Sequence, residues 1–203
     1  MDEGPIGHLE QVEAACQAGI RWIQLRMKQA GADEFRETAL AVKKICDRWD
    51  SVFIINDRVE TALEVKAHGV HLGKSDMPVS EARRRLGDDV IIGGTANTLE
   101  DIREHYRQGA DYIGLGPYRY TTTKKDLSPI LGLEGYRQIM SRLRQEGIPI
   151  PVVAIGGIGI KDTAPLLEAG LQGIAFSGLL VHAGDRRAMV HALEEEITKS
   201  LLC

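Results

Sequence analysis

In the stretch Gln24-Leu25-Arg26-Met27-Lys28, an extended chain puts Gln24, Arg26 and Lys28 on one side and Leu25 and Met27 on the other. An amide, a forked guanidinium and a compact ammonium on one face suit a phosphate, although a solvated strand end has the same composition. Asn56 and Asp57 close the apolar run "SVFIIN", and Asp76 follows the next such run, in "HLGKSDMP". Neighbouring parallel strands would bring the two carboxylates together, and Mg2+ is bound through one or two carboxylates plus substrate phosphates. Asp76 also has a plainer use, as a cap on the helix predicted over "PVSEARRRL", where Pro78 suits the first turn.

A second polar group sits further on. "TTTKKD" follows a predicted strand end and a glycine-proline pair, so Thr121, Thr123, Lys124 and Lys125 offer hydroxyls and ammonium groups to an anion. A basic surface loop is the plainer reading. The coincidence of Arg26, Lys28 and Lys124 with two aspartates reads as a diphosphate and magnesium site. Gly156 and Gly157 would let a second phosphate approach the main chain, while Ser177 and Gly178 precede "LLV", predicted as a short helix with amides facing an anion. A tight turn alone would also use two glycines.

Other chemistries lack their residues. The histidines show no metal spacing and H-E-x-x-H is absent, so no zinc site is expected; His71, inside an apolar run, reads as structural. No G-x-S-x-G surrounds Ser177, and no cysteine stands in an activating motif. Cys16, Cys46 and Cys203 are too few and scattered for a disulfide framework, which fits a reducing compartment. With 25 basic and 29 acidic residues, net charge -4, the chain has no global field for nucleic acid. No apolar run reaches the roughly 18 residues of a membrane span, so a cytoplasmic protein is expected.

Positioning these groups falls to short apolar runs: "IRWIQL", "SVFIIN", "GVHLG", "VIIGG", "DYIGLG", "IPVVAIGG" and "GIAFSG", seven in all. Amphipathic patterns such as "DEFRETALAVKKICDRW" separate them. Such alternation implies a parallel sheet covered by helices. Short strands ending in glycine or polar residues favour a TIM (β/α)8 barrel over a doubly wound sheet, and no G-x-G-x-x-G follows the first strand. One domain over residues 1–203 is expected. The first barrel strand is absent, because residues 1–18 read as a loop and the helix "LEQVEAACQAG", stopped by Gly19. A neighbouring subunit, in a homo-oligomer, or a rearranged N-terminal segment would then cover the exposed edges.

The motifs "QLRMK", "IND", "HLGKSDMP", "GPYRYTTTKKD", the "GL" at Gly132, "VVAIGGI" and "AFSG", in this order, resemble the thiamine-phosphate synthase family. The resemblance runs from about Gly19 to the C-terminal helix. It implies a TIM barrel that joins a hydroxymethylpyrimidine diphosphate to a thiazole phosphate and releases diphosphate with Mg2+. It assigns Gln24 to the pyrimidine, and Arg26, Lys28, Asn56 and Lys124 to the diphosphate, with Arg26, Lys28 and Lys124 as the catalytic cations. Asp57 and Asp76 would hold the metal; Thr121, Thr123, the Gly156–Gly157 turn and Ser177 would bind the thiazole phosphate. "GGTANT" departs from the usual serine and histidine, leaving Thr95 as a substrate-binding hydroxyl. "YRY" is a second departure and gives Arg119 no role. A related thiazole tautomerase and a non-catalytic phosphate-binding barrel are the competing readings.

Overall fold

The computed structural model describes residues 7–120 and 129–201. Helix and strand alternate: α1 (His8–Gln17), β1 (Trp22–Leu25), α2 (Ala32–Arg48), β2 (Val52–Asn56), α3 (Val59–Glu64), β3 (Gly69–Leu72), α4 (Val79–Leu86) and β4 (Ile91–Ala96) come first. Then follow α5 (Leu99–Arg107), β5 (Tyr112–Leu115), α6 (Gly132–Gln145), β6 (Val152–Ala154), α7 (Thr163–Glu168), β7 (Gly173–Ile174), α8 (Gly178–Val181) and α9 (Arg186–Leu201). The seven strands hydrogen-bond in chain order. Pairing is parallel, with registers such as Ile23 to Phe53, Ile55 to Val70 and Gly114 to Val153.

That order decides between the two architectures. A doubly wound sheet reverses its strand order at a switch point, whereas a TIM barrel adds each strand beside the last. No reversal occurs, so the fold is α/β of the TIM-barrel type, with seven of the eight strands among the described residues. Each of the seven apolar runs read from the sequence coincides with a strand, although β4 continues past "VIIGG" to Ala96, and "IPVVAIGG" and "GIAFSG" hold only Val152–Ala154 and Gly173–Ile174.

The chain packs as two compact units. One runs to Ile92 and takes in Ser177–Val190; the other holds Gly93–Phe176 and the chain from His191. In the first, Val12, Ala15 and Cys16 of α1 and Phe35, Ala39, Val42 and Cys46 of α2 recur at helical spacing and are all buried. Phe53, Ile54 and Ile55 are buried at consecutive positions of β2, as a parallel strand covered on both faces requires. Each such side chain contributes roughly 1.5–3 kcal/mol. Cys16 and Cys46 are free buried thiols, in keeping with the absence of a disulfide framework. Gly19 ends α1 at φ 111°, a conformation open to glycine.

In the second unit Ile113, Leu115, Tyr136, Val152, Ala154 and Leu166 share one core. Tyr136 is fully buried and donates its hydroxyl to the Leu115 carbonyl at 2.5 Å. The N-terminus of α5 is closed by a capping box between Thr98 and Asp101. These contacts hold the carboxyl ends of the strands, from which the polar loops emerge.

Candidate functional site

The first unit gathers the carboxylates. β1 stops at Leu25, so Arg26 and Lys28 stand beyond the strand, where strict alternation no longer dictates their direction. Lys28 arrives by a turn instead, and its ammonium pairs with Asp57 Oδ2. Gln24, still on β1, donates Nε2 to Asn56 Oδ1 at 2.7 Å, which sets two amides side by side at the ends of β1 and β2. Arg26 is half-buried one residue past β1. His71 is buried within β3, and its carbonyl accepts the Asp57 N–H at 2.9 Å.

Asp57 has φ 67°, a left-handed conformation that aspartate tolerates better than most residues. Burial raises its pKa and the adjacent Asp76 carboxyl raises it further; the Lys28 ammonium opposes both without cancelling them. Asp76 accepts the Gly73 N–H at 2.6 Å. It does not cap α4, whose N-cap is Pro78 with no side-chain cap bond. Pro78 therefore precedes the first turn predicted for it. A Cβ on Gly73 would fall 2.8 Å from Asp76 Oδ2, so the carboxylate rests where only glycine leaves room.

This donor set suits a hard divalent cation. Two carboxylates whose proximity penalises their joint ionisation, with a lysine as counter-charge, match Mg2+, which takes few protein oxygens and completes its shell from phosphate and water. Among the described residues no group of three or more His, Cys, Asp or Glu is arranged to hold a metal, so an all-protein cage of the calcium or zinc kind is not formed there.

The second unit presents backbone. Gly156 and Gly157 follow β6 with φ 86° and 75°. A Cβ on Gly156 would lie 2.8 Å from Pro117 Cβ, and one on Gly157 2.6 Å from Arg119 Cγ, so the glycines admit the neighbouring chain as well as any ligand. Thr95 is buried on β4, and its carbonyl lies 3.0 Å from His105 Nε2. Asn97 is occupied structurally: its side chain donates to the Gly116 carbonyl and its N–H to Asp101. Ser177 is the N-cap residue of α8 and belongs to the first unit by packing; α8 has no side-chain cap bond. Thr121, Thr123 and Lys124 lie outside the described residues.

Sequence reasoning missed two arginines. Arg58, directly after Asp57, donates to the carbonyls of Ala30 and Gly31 at 2.6 and 3.4 Å and stacks over Phe35 at 4.2 Å, tying down the loop that carries Lys28. Its signal was present, a cation immediately past the "IND" strand end. Arg119, left without a role, makes a forked bond to Asp162 at 2.6 and 2.8 Å and stacks over Tyr118 at 4.6 Å.

The thiamine monophosphate synthase family model matches residues 2–180. A thiamine-phosphate synthase of Bacteroides fragilis is 51% identical over 178 residues, covering 88% of this chain and 87% of that protein. Among solved structures, a thiamine phosphate pyrophosphorylase from Pyrococcus furiosus superposes with a TM-score of 0.83 at 34% identity, over 96% of this chain and 91% of that one. A 3-hexulose-6-phosphate synthase superposes with a TM-score of 0.65 at 14% identity, over 93% of this chain and 92% of that one, a likeness of fold alone.

Proposed function

The chain belongs to the thiamine monophosphate synthase family, and from that premise we propose how its residues divide the reaction. The activity is thiamine-phosphate synthesis, the joining of 4-amino-2-methyl-5-hydroxymethylpyrimidine diphosphate to a thiazole phosphate with release of diphosphate, a transferase reaction. The observation that supports our assignment best is the Lys28–Asp57–Asp76 cluster beside the Gln24–Asn56 amide pair.

In this reading Gln24 orients the pyrimidine, and Arg26, Lys28, Asn56 and Lys124 take the diphosphate. Asp57 and Asp76 would hold Mg2+, the chemistry supplied being neutralisation of charge growing on the departing group. Lys28, paired with Asp57 in the structure, would serve the substrate phosphates. Diphosphate leaves first, the pyrimidine-methyl cation is captured by the thiazole nitrogen, and no proton has to be taken from the nucleophile. That agrees with a site built from cations and carboxylates without an evident general base. Thr95, Thr121, Thr123, the Gly156–Gly157 turn and Ser177 bind the thiazole phosphate.

No helix among the described residues is long and apolar enough to cross a membrane. A cytoplasmic enzyme of small-molecule metabolism that self-associates completes the proposal. The test is to mix both phosphorylated substrates with Mg2+ and follow diphosphate. Magnesium-dependent release is expected, and Lys124→Ala should lower kcat about 10²- to 10³-fold while the fold survives, as removal of a preorganised charge-stabilising donor does. Isomerisation of the thiazole alone would indicate the tautomerase, and saturable binding without conversion a sensor. Near-wild-type turnover of Lys124→Ala at saturating substrate would remove that residue from the assignment.

A further inference from the structure

Arg119 does more than stack on its neighbour. Tyr118 N–H donates to the carbonyls of Ile155 and Gly156 at 3.0 and 3.1 Å, and Arg119 N–H donates to the Gly156 carbonyl at 3.1 Å. The guanidinium then takes the next carbonyl, that of Gly157, at 3.1 Å. Three successive carbonyls, those of Ile155, Gly156 and Gly157, are thus drawn toward residues 118–119. A trans peptide plane points its N–H opposite to its carbonyl, so the N–H groups of Gly156, Gly157 and Ile158 are aimed away from that segment. Successive N–H groups in a tight turn can form a concave anion-binding array, and Gly156 and Gly157 make this sharp turn at φ 86° and 75°.

The same guanidinium is anchored, its Nη1 serving both the Gly157 carbonyl and Asp162. Arg119 Nη1 and Nη2 bond both oxygens of Asp162, a buried carboxylate that also accepts the Gly159 N–H at 2.7 Å. Asp162 lies in the single 3-10 turn Ile160–Asp162 that closes the loop after β6. One carboxylate therefore fixes the arginine and the far end of the same glycine loop. Burial works against the charge on Asp162, yet the Arg119 fork and the Gly159 N–H outweigh it and hold its pKa below the ordinary carboxylate value.

We propose that Arg119 and Asp162 are positioning residues that set the Gly156–Gly157 turn for the phosphate of the thiazole substrate, without touching that substrate. The proposal rests on the assignment of this turn to the thiazole phosphate made above. Lysine cannot substitute fully, because a single ammonium has no planar fork to span both Asp162 oxygens and the Gly157 carbonyl.

The test separates the two substrates in steady-state kinetics. Arg119→Gln and Asp162→Asn should each raise KM for the thiazole phosphate about ten- to hundredfold, the range for losing charge-assisted bonds, with KM for the pyrimidine diphosphate unchanged. Their effects should not add in the double variant, and Arg119→Lys should recover part of the loss. Inorganic phosphate should inhibit the wild type competitively against the thiazole substrate, and the variants more weakly. A general loss of stability would move both KM values alike, or only the melting temperature, and either result overturns the proposal. Gly156→Ala, strained at φ 86° and pressed on Pro117, deforms the turn directly. If it raises the thiazole KM while Arg119→Gln does not, the clasp is wrong and the turn stands; if neither raises it, the turn assignment falls and the clasp with it. Should Arg119→Gln fail to fold, Arg119→Lys carries the same comparison.

Discussion

Asp57 and Asp162 are both buried or half-buried aspartates in loops after strands, both bonded to a cation, and their pKa values move in opposite directions. Asp162 meets a planar fork and a backbone N–H, so its charge is fully answered. Asp57 meets a single half-exposed ammonium on one side and a second carboxylate on the other. The lesson is that satisfied charge builds the frame, whereas charge left partly unanswered is where we propose that a cationic ligand binds. The two units differ in kind accordingly. The first offers side-chain charge, and the second, as we propose, offers backbone N–H groups held in place by charge that is already paired.

Asp57→Asn is the sharpest way to break this contrast. Removing a carboxylate we propose as a magnesium holder should depress kcat by about 10²- to 10³-fold, the scale of losing preorganised electrostatic stabilisation. In the same variant, measured without Mg2+ at neutral pH, the melting temperature should rise. The raised pKa means that the folded state disfavours the ionised carboxylate, and asparagine removes that charge while tolerating the left-handed φ. A variant that melts lower yet turns over normally would show that Asp57 is part of the frame and that the contrast is false.

Much of this is legible in the sequence. Asp57 announced itself because an apolar run ended in a carboxylate, and β2 ends one residue earlier, at Asn56. The seven strands were legible for the same reason, since buried parallel strands are short apolar runs. What escaped was set by distance along the chain. Arg119 and Asp162 are 43 residues apart, and nothing local to "YRY" names its partner. The common face of Gln24, Arg26 and Lys28 rested on strand periodicity that stops at Leu25, so Lys28 reaches Asp57 through a turn that alternation cannot describe. Gly156 and Gly157 were legible as permissive backbone, but not the press of Pro117 and Arg119 against them.

Acid titration sharpens the comparison at smaller amplitude. A carboxylate with a lowered folded pKa contributes stability that is present above the unfolded value, about 3.9, and is lost as pH falls through the folded value. The wild type should therefore outmelt Asp162→Asn at pH 6 to 7, and the gap should shrink below about pH 4. Asp57 runs the other way: its folded pKa is raised, so its ionisation weakens the fold as pH rises through that value, and the wild type should lose ground to Asp57→Asn over the same rise. Parallel curves for the two variants in thermal melts at stepped pH would erase the distinction drawn between the aspartates.

The smallest expected effect supplies the uncharged control. Tyr136 is fully buried in the second unit, and its hydroxyl bonds the Leu115 carbonyl, one residue before the Gly116–Arg119 segment that presses on the glycine turn. Burial raises its phenol pKa, so it stays neutral throughout the acid range in which the aspartates titrate. Tyr136→Phe should cost about 0.5–1.5 kcal/mol, the net worth of a neutral hydrogen bond, by the same amount from pH 4 to pH 7. If the stability of the frame depends on pH only through its paired charge, this loss leaves the slope of stability against pH untouched, whereas Asp162→Asn changes it. A Tyr136→Phe protein whose deficit itself varies with pH would mean that the frame near Leu115 is coupled to the Arg119–Asp162 pair, and that neutral and charged contacts there act as one network.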